Sequence, residues 1–87
     1  MKSYVLKSFW KYYDALPGKV KQNAKETYKS WLNNPFDEKL RFKKLYENKE
    51  VYSIRIGLYW RALGVKHGDD MYWFWIGSHE KYSKLIK

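Results

Sequence analysis

Residues 71–76, MYWFWI, are apolar or aromatic at every position, and turn-forming residues flank the run on both sides. A short unbroken run of β-formers fits a strand covered on both faces, because a half-exposed strand would alternate. The chain just before it does alternate. In Val51–Ile56, Tyr52, Ile54 and Ile56 share one face while Val51, Ser53 and Arg55 share the other. In Tyr59–Lys66, Arg61, Leu63 and Val65 oppose Trp60, Ala62, Gly64 and Lys66. His67-Gly68-Asp69-Asp70 is a turn signal between the second segment and the aromatic run. These segments predict three consecutive antiparallel strands, with Arg55 and Arg61 set into a hydrophobic sheet.

Ser3–Lys7 reads as a short edge strand, with Tyr4 and Leu6 as its apolar positions. Ser8 is the expected cap of a brief helix carrying Phe9, Tyr13 and Leu16 on one side. Pro17 suits the first turn of a second helix, where its missing N–H is no loss. There Val20, Ala24, Tyr28 and Trp31 form an apolar stripe, and Lys19, Lys21, Lys25, Glu26 and Lys29 face elsewhere. Asn33-Asn34-Pro35 ends that helix, since the residue before proline avoids helical backbone angles. Leu40–Tyr46 reads as a strand with Leu40 and Phe42 inward, joined by Glu47–Glu50 to Val51–Ile56 as a hairpin. Ser78 is a natural N-cap for a last helix bearing Tyr82, Leu85 and Ile86. The predicted order is β-α-α-β-β-β-β-α. That is an α+β fold with a mainly antiparallel sheet of about four or five strands. An N-terminal helical pair lies on one face, and a short C-terminal helix closes the chain.

A chain of 87 residues has room for one core, so residues 1–87 are expected to form a single domain. Five Trp and nine Tyr supply large apolar area per residue, which a core this small needs. Lys and Arg number 18 against 9 acidic residues, a net charge of +9. That balance points to a polyanion or an acidic protein as partner. Zero Cys excludes disulfides and thiol chemistry. The first ten residues carry no apolar signal-peptide core and no run is long enough to span a membrane, so a cytoplasmic, membrane-free protein is expected. His67, His79 and the Asp69-Asp70 pair do not make a ligand cluster. With no Gly-rich phosphate loop or nucleophile elbow either, neither metal nor small-molecule cofactor is expected.

The series S-I-R-I-G-x-x-x-R-A-L-G, then G-D, then W-F-W-I-G-S-H-E-x-Y resembles the toxins of bacterial type II toxin–antitoxin modules. It is most similar to the RelE/ParE superfamily, in its HigB-like or plasmid-stabilisation branch. The resemblance implies a toxin neutralised by a cognate antitoxin protein. For the family's RNA-cleaving members it further implies a metal-free endoribonuclease acting on mRNA at the ribosome. It places Arg61 at a family arginine, and His79 and Tyr82 in a recurrent His-acid-x-Tyr pattern, here His79-Glu80-Lys81-Tyr82. The chain departs from the RelE residues where it has Val51, Ser53, His79 and Leu85, so the implied catalytic set uses His79 instead. Other superfamily members inhibit DNA gyrase, which needs binding and no such set. A non-catalytic RNA-binding module is a third reading, because α-β-β-β-α is also the order of a double-stranded RNA-binding domain.

Metal-free RNA cleavage requires a base for the 2′-OH, an acid for the leaving oxygen and cations against the crowded phosphate. Arg55, Arg61, His79 and Tyr82 are the candidate catalytic residues, with Lys43, Lys66 and Lys81 as candidate RNA contacts. The plainer alternative pairs Arg55 and Arg61 with Glu47, Glu50 or Glu80, leaves His79 as a surface residue and buries Tyr82 under its helix. His67 reads as an exposed turn residue.

Overall fold

The computed structural model describes residues 2–86. Its elements are β1 (Lys2–Val5), α1 (Lys7–Asp14), α2 (Gly18–Asn33), a 3-10 turn (Glu38–Leu40), β2 (Lys43–Lys44), β3 (Val51–Ile56), β4 (Trp60–His67), β5 (Asp70–Ser78) and α3 (His79–Leu85). The strands form one sheet in the order β1-β5-β4-β3-β2. β2 to β5 are joined antiparallel, as the alternation predicts, while β1 runs parallel to β5. The fold is thus α+β with a mixed five-stranded sheet.

The α2 stripe buries as expected. Val20, Ala24 and Trp31 are buried, and Trp31, 1% exposed, meets Trp73 edge to face at 5.3 Å. Phe9, Tyr13 and Leu16 of the first helical segment, together with Tyr28, close over the same cluster of Ile54, Ile56, Ala62, Met71 and Ile76. An aromatic-lined cavity of about 200 Å³ remains between the helices and the sheet, bordered by Phe9, Trp10, Tyr13, Tyr28 and Trp73. Pro17 stands one position earlier than expected, as the N-cap, and Asn34 at φ −150° ends the helix.

Other boundaries move for identifiable reasons. β1 stops at Val5, and Leu6 rather than Ser8 precedes α1. The Ser8 hydroxyl instead donates to the Phe74 carbonyl at 2.8 Å, and the Leu6 N–H donates to the Trp73 carbonyl at 2.9 Å. These bonds lead α1 along β5 where β1 has ended, occupying an edge that would otherwise offer unpaired backbone groups. The strand expected at Leu40–Tyr46 contracts to Lys43–Lys44. Asp37 caps a 3-10 turn by accepting from the Lys39 N–H at 3.0 Å, and Arg41 then takes the left-handed conformation at φ 47°. Leu40 and Phe42 still face inward. Leu85 does not: it is 56% exposed.

A bulge in β5 explains why MYWFWI lacks alternation. Leu63 pairs with Trp75 and Gly64 with Trp73, which leaves Phe74 as the extra residue. Trp73 therefore packs under the helices, while Trp75 joins Leu63 and Tyr82 on the opposite face. Gly64 makes this fit, because a Cβ there would lie 2.8 Å from the Trp73 ring and from Met71 Sδ.

Candidate functional site

The face opposite α1 and α2 carries the candidate residues. Arg55 of β3 is directly paired with Arg61 of β4, and Arg61 in turn with Gly77 of β5. Directly paired residues project to the same face, so both guanidiniums rise side by side. Arg55 Nε donates to the Gly57 carbonyl at 2.9 Å, and an Arg61 guanidinium nitrogen (Nη1) donates to the Trp60 carbonyl at 2.8 Å. Each arginine is thus held by a backbone oxygen at the β3–β4 turn. The pairing with acidic residues that the plainer alternative required is not found among the described residues. Glu50 engages Lys44 at 3.0 Å, and Glu80 stands 4.0 Å from Lys84.

α3 folds onto this face through Tyr82, which is 5% exposed. Ser78 starts the helix as predicted, its hydroxyl accepting from the Lys81 N–H at 3.2 Å. The Tyr82 hydroxyl shares a 3.3 Å hydrogen bond with the buried Ser53 hydroxyl, a side chain the sequence left without a role. Its ring lies 6.0 Å from the Arg61 guanidinium and 5.7 Å from the His79 ring. One aromatic side chain therefore links Arg61 on the sheet to His79 on the helix. The His79 N–H also donates to the Tyr59 carbonyl at 2.6 Å, which ties the start of α3 to the β3–β4 turn. Gly77 keeps the floor open, since a Cβ there would meet the Trp75 ring at 2.5 Å.

Arg41 is the residue that sequence reasoning missed. It stands just before β2 with an exposed side chain, near enough to Arg61 for their charges to repel. Its left-handed backbone after the 3-10 turn, which strand alternation does not foretell, sets its place. Burial first, then repulsion from Arg55 and Arg41, hold the Arg61 guanidinium below its ordinary pKa, with Tyr82 acting in the opposite sense. Three uncompensated arginines on one face are arranged to receive an anion, and a planar guanidinium suits phosphate.

The remaining candidates divide. Lys43 pairs with Ser53 and so shares the arginine face from the edge strand. Lys81 is exposed on α3 beside Tyr82. Lys66 pairs with Met71, which places it on the helix side of the sheet, apart from Arg61. His67 is exposed at the far end of β4. Among the described residues no three His, Asp or Glu side chains converge as metal ligands, and no helix is long and apolar enough to cross a membrane.

Comparison with known proteins agrees with this architecture. The sequence profile of the ParE-like toxin domain matches residues 18–84. The chain belongs to this family and is a toxin of the RelE/ParE superfamily. No curated protein sequence matches it significantly. Among solved structures it is similar to a chain of the RelB–RelE antitoxin–toxin complex from Methanococcus jannaschii, with TM-score 0.76, 20% identity and coverage of 97% of this chain and 99% of that one. YafQ from E. coli strain BL21(DE3) follows at TM-score 0.73, 13% identity and 93% and 96% coverage. The YoeB/ParE toxin from Agrobacterium tumefaciens has TM-score 0.69, 16% identity and 91% and 99% coverage.

Proposed function

We propose that this protein is the toxin of a type II toxin–antitoxin module, and that it cleaves mRNA at the ribosome without a metal ion. The observation that carries the reading is the run of Arg41, Arg55 and Arg61 without a carboxylate partner among the described residues, joined through the Tyr82 ring to His79. In the proposed reaction the 2′-oxygen of one nucleotide attacks the adjacent phosphorus as its proton leaves. The bond to the 5′-oxygen of the next nucleotide breaks, and that oxygen takes up a proton. Arg61 and Arg55 stabilise the charge that builds on the phosphate, and Arg41 and Lys43 attract the backbone. His79 moves the proton on one side of the reaction. Tyr82 holds Arg61 and His79 in register and has its hydroxyl occupied by Ser53. A cognate antitoxin, as in the Methanococcus jannaschii complex, would silence the protein by neutralising this face.

Loss of a general acid or base costs roughly 10²–10⁴-fold in rate. Loss of a charge-stabilising donor costs roughly 10²–10³-fold. His79→Ala and Arg61→Ala are therefore expected to abolish growth arrest and message cleavage while the circular dichroism spectrum is retained. His67→Ala is expected to leave toxicity intact, and EDTA to leave cleavage unchanged. Fully toxic variants with uncut message would replace cleavage by binding to a protein target such as gyrase.

A further inference from the structure

Tyr59 stands out on this surface. Its side chain is 71% exposed at the β3–β4 turn, yet its backbone is held firmly: Gly57 at φ +62° sets the reversal and the His79 N–H fixes the Tyr59 carbonyl. Together with Ser78, His79, Glu80, Ser83 and Lys84 it lines a shallow depression between the turn and α3. The depression reaches the arginines through His79, whose ring lies 5.7 Å from the Tyr82 ring, which in turn lies 6.0 Å from the Arg61 guanidinium. The His79 N–H bond to the Tyr59 carbonyl holds the exposed Tyr59 at this same end of α3.

We propose that this depression is a nucleobase subsite: Tyr59 stacks the base of a nucleotide next to the phosphate held by Arg61 and Arg55. The proposal rests on the RNA-cleavage reading and names the part of the substrate that the arginines cannot position. Guanidiniums grip a phosphate that is free to rotate about the sugar–phosphate chain. A base pinned on Tyr59 removes that rotation and brings the ribose 2′-OH towards His79. Because every base has a π-face, stacking of this kind positions without selecting sequence. Tyr59 is a positioning residue that touches substrate, and Glu80, loosely paired with Lys84 at 4.0 Å, leaves the rim open to the base edge.

The test compares two uncleavable probes by equilibrium binding at low salt. One is a 2′-O-methyl oligoadenylate, and the other a chain of the same length and charge that lacks the bases. Wild-type protein is expected to bind the oligoadenylate more tightly. Tyr59→Ala is expected to lower that affinity by roughly 5- to 150-fold, the fold-change of one lost base–aromatic stack, and to leave binding of the base-free chain unchanged. Tyr59→Phe keeps the ring and should behave as wild type, while Arg61→Ala should weaken both probes alike. If Tyr59→Ala, folded by circular dichroism, binds the oligoadenylate as wild type does, the subsite is wrong and the cleavage reading stands. If wild-type protein binds neither probe, the nucleic-acid reading fails and the subsite falls with it.

Discussion

Arg61 is placed where its charge works against the fold. A folded-state pKa below the ordinary value means that the charged form is disfavoured in the native protein. The sign follows by linkage: the cost is present at every pH below the folded pKa, neutral pH included, and fades only as pH rises through that value. Arg61→Gln should therefore lose activity and not destabilise through charge; repulsion from Arg55 and Arg41 is relieved. Ionic strength provides the check, because charge–charge repulsion near the surface is screened over about 8 Å at physiological salt. The Tm of wild-type protein should rise with added salt, and the rise should be smaller in Arg61→Gln. An equal salt response in the two proteins would count against the repulsion argument.

At the scale of elements, the bulge and the docking of α3 decide whether the site exists. Gly64→Ala puts a methyl against Trp73 and Met71 inside a packed face. Overpacking of this kind costs about 1–3 kcal/mol. For a domain of this size each kcal/mol lowers Tm by about 4–8 °C. A thermal melt should show that loss, and an unchanged Tm would mean that Trp73 and Met71 are free to shift. Tyr82 offers a finer separation. Tyr82→Phe deletes the hydroxyl bonded to Ser53, worth about 1 kcal/mol, and keeps the ring between Arg61 and His79. It should lower Tm modestly and retain toxicity, whereas Tyr82→Ala should release α3 and lose both. Loss of toxicity in a folded Tyr82→Phe protein would instead give the hydroxyl a direct chemical part.

The whole molecule carries a charge of +9, with Arg41 exposed and Arg55 and Arg61 half-buried on the face opposite α1 and α2. Such a surface attracts polyanions at long range, and the proposed antitoxin is expected to cover it with an acidic or amphipathic segment. Co-expression with the neighbouring reading frame should yield a complex that suppresses toxicity and weakens as salt rises. Failure to retrieve that product, in cells that tolerate the protein alone, would remove the toxin–antitoxin reading. Ligand binding to the native state also stabilises it, by RT ln(1 + [L]/Kd). The partner should therefore raise Tm, and should raise it less at high salt.

How much of this was legible beforehand follows from what a sequence encodes locally. Side-chain direction along a strand or helix depends only on backbone geometry, so the faces of Val51–Ile56 and the stripe Val20, Ala24, Tyr28, Trp31 could be read directly. The same periodicity put Arg55 on the face opposite Tyr52, Ile54 and Ile56 and Arg61 on the face of Leu63 and Val65, and the Ser78 cap followed from hydroxyl chemistry. It could not reveal that β1 runs parallel to β5, because pairing of residues as distant as Lys2 and Asp70 is settled by packing of the whole sheet. Nor could it show that Phe74 bulges out, since an unbroken apolar run has no phase from which a shift can be seen. The direct pairing of Arg55 with Arg61, the approach of Arg41 and the Tyr82 ring between Arg61 and His79 are likewise products of register and docking. The chain by itself determined which residues face outward, and the tertiary structure decided which of them meet, because burial of Trp73 on one face and Trp75 on the other admits one strand register.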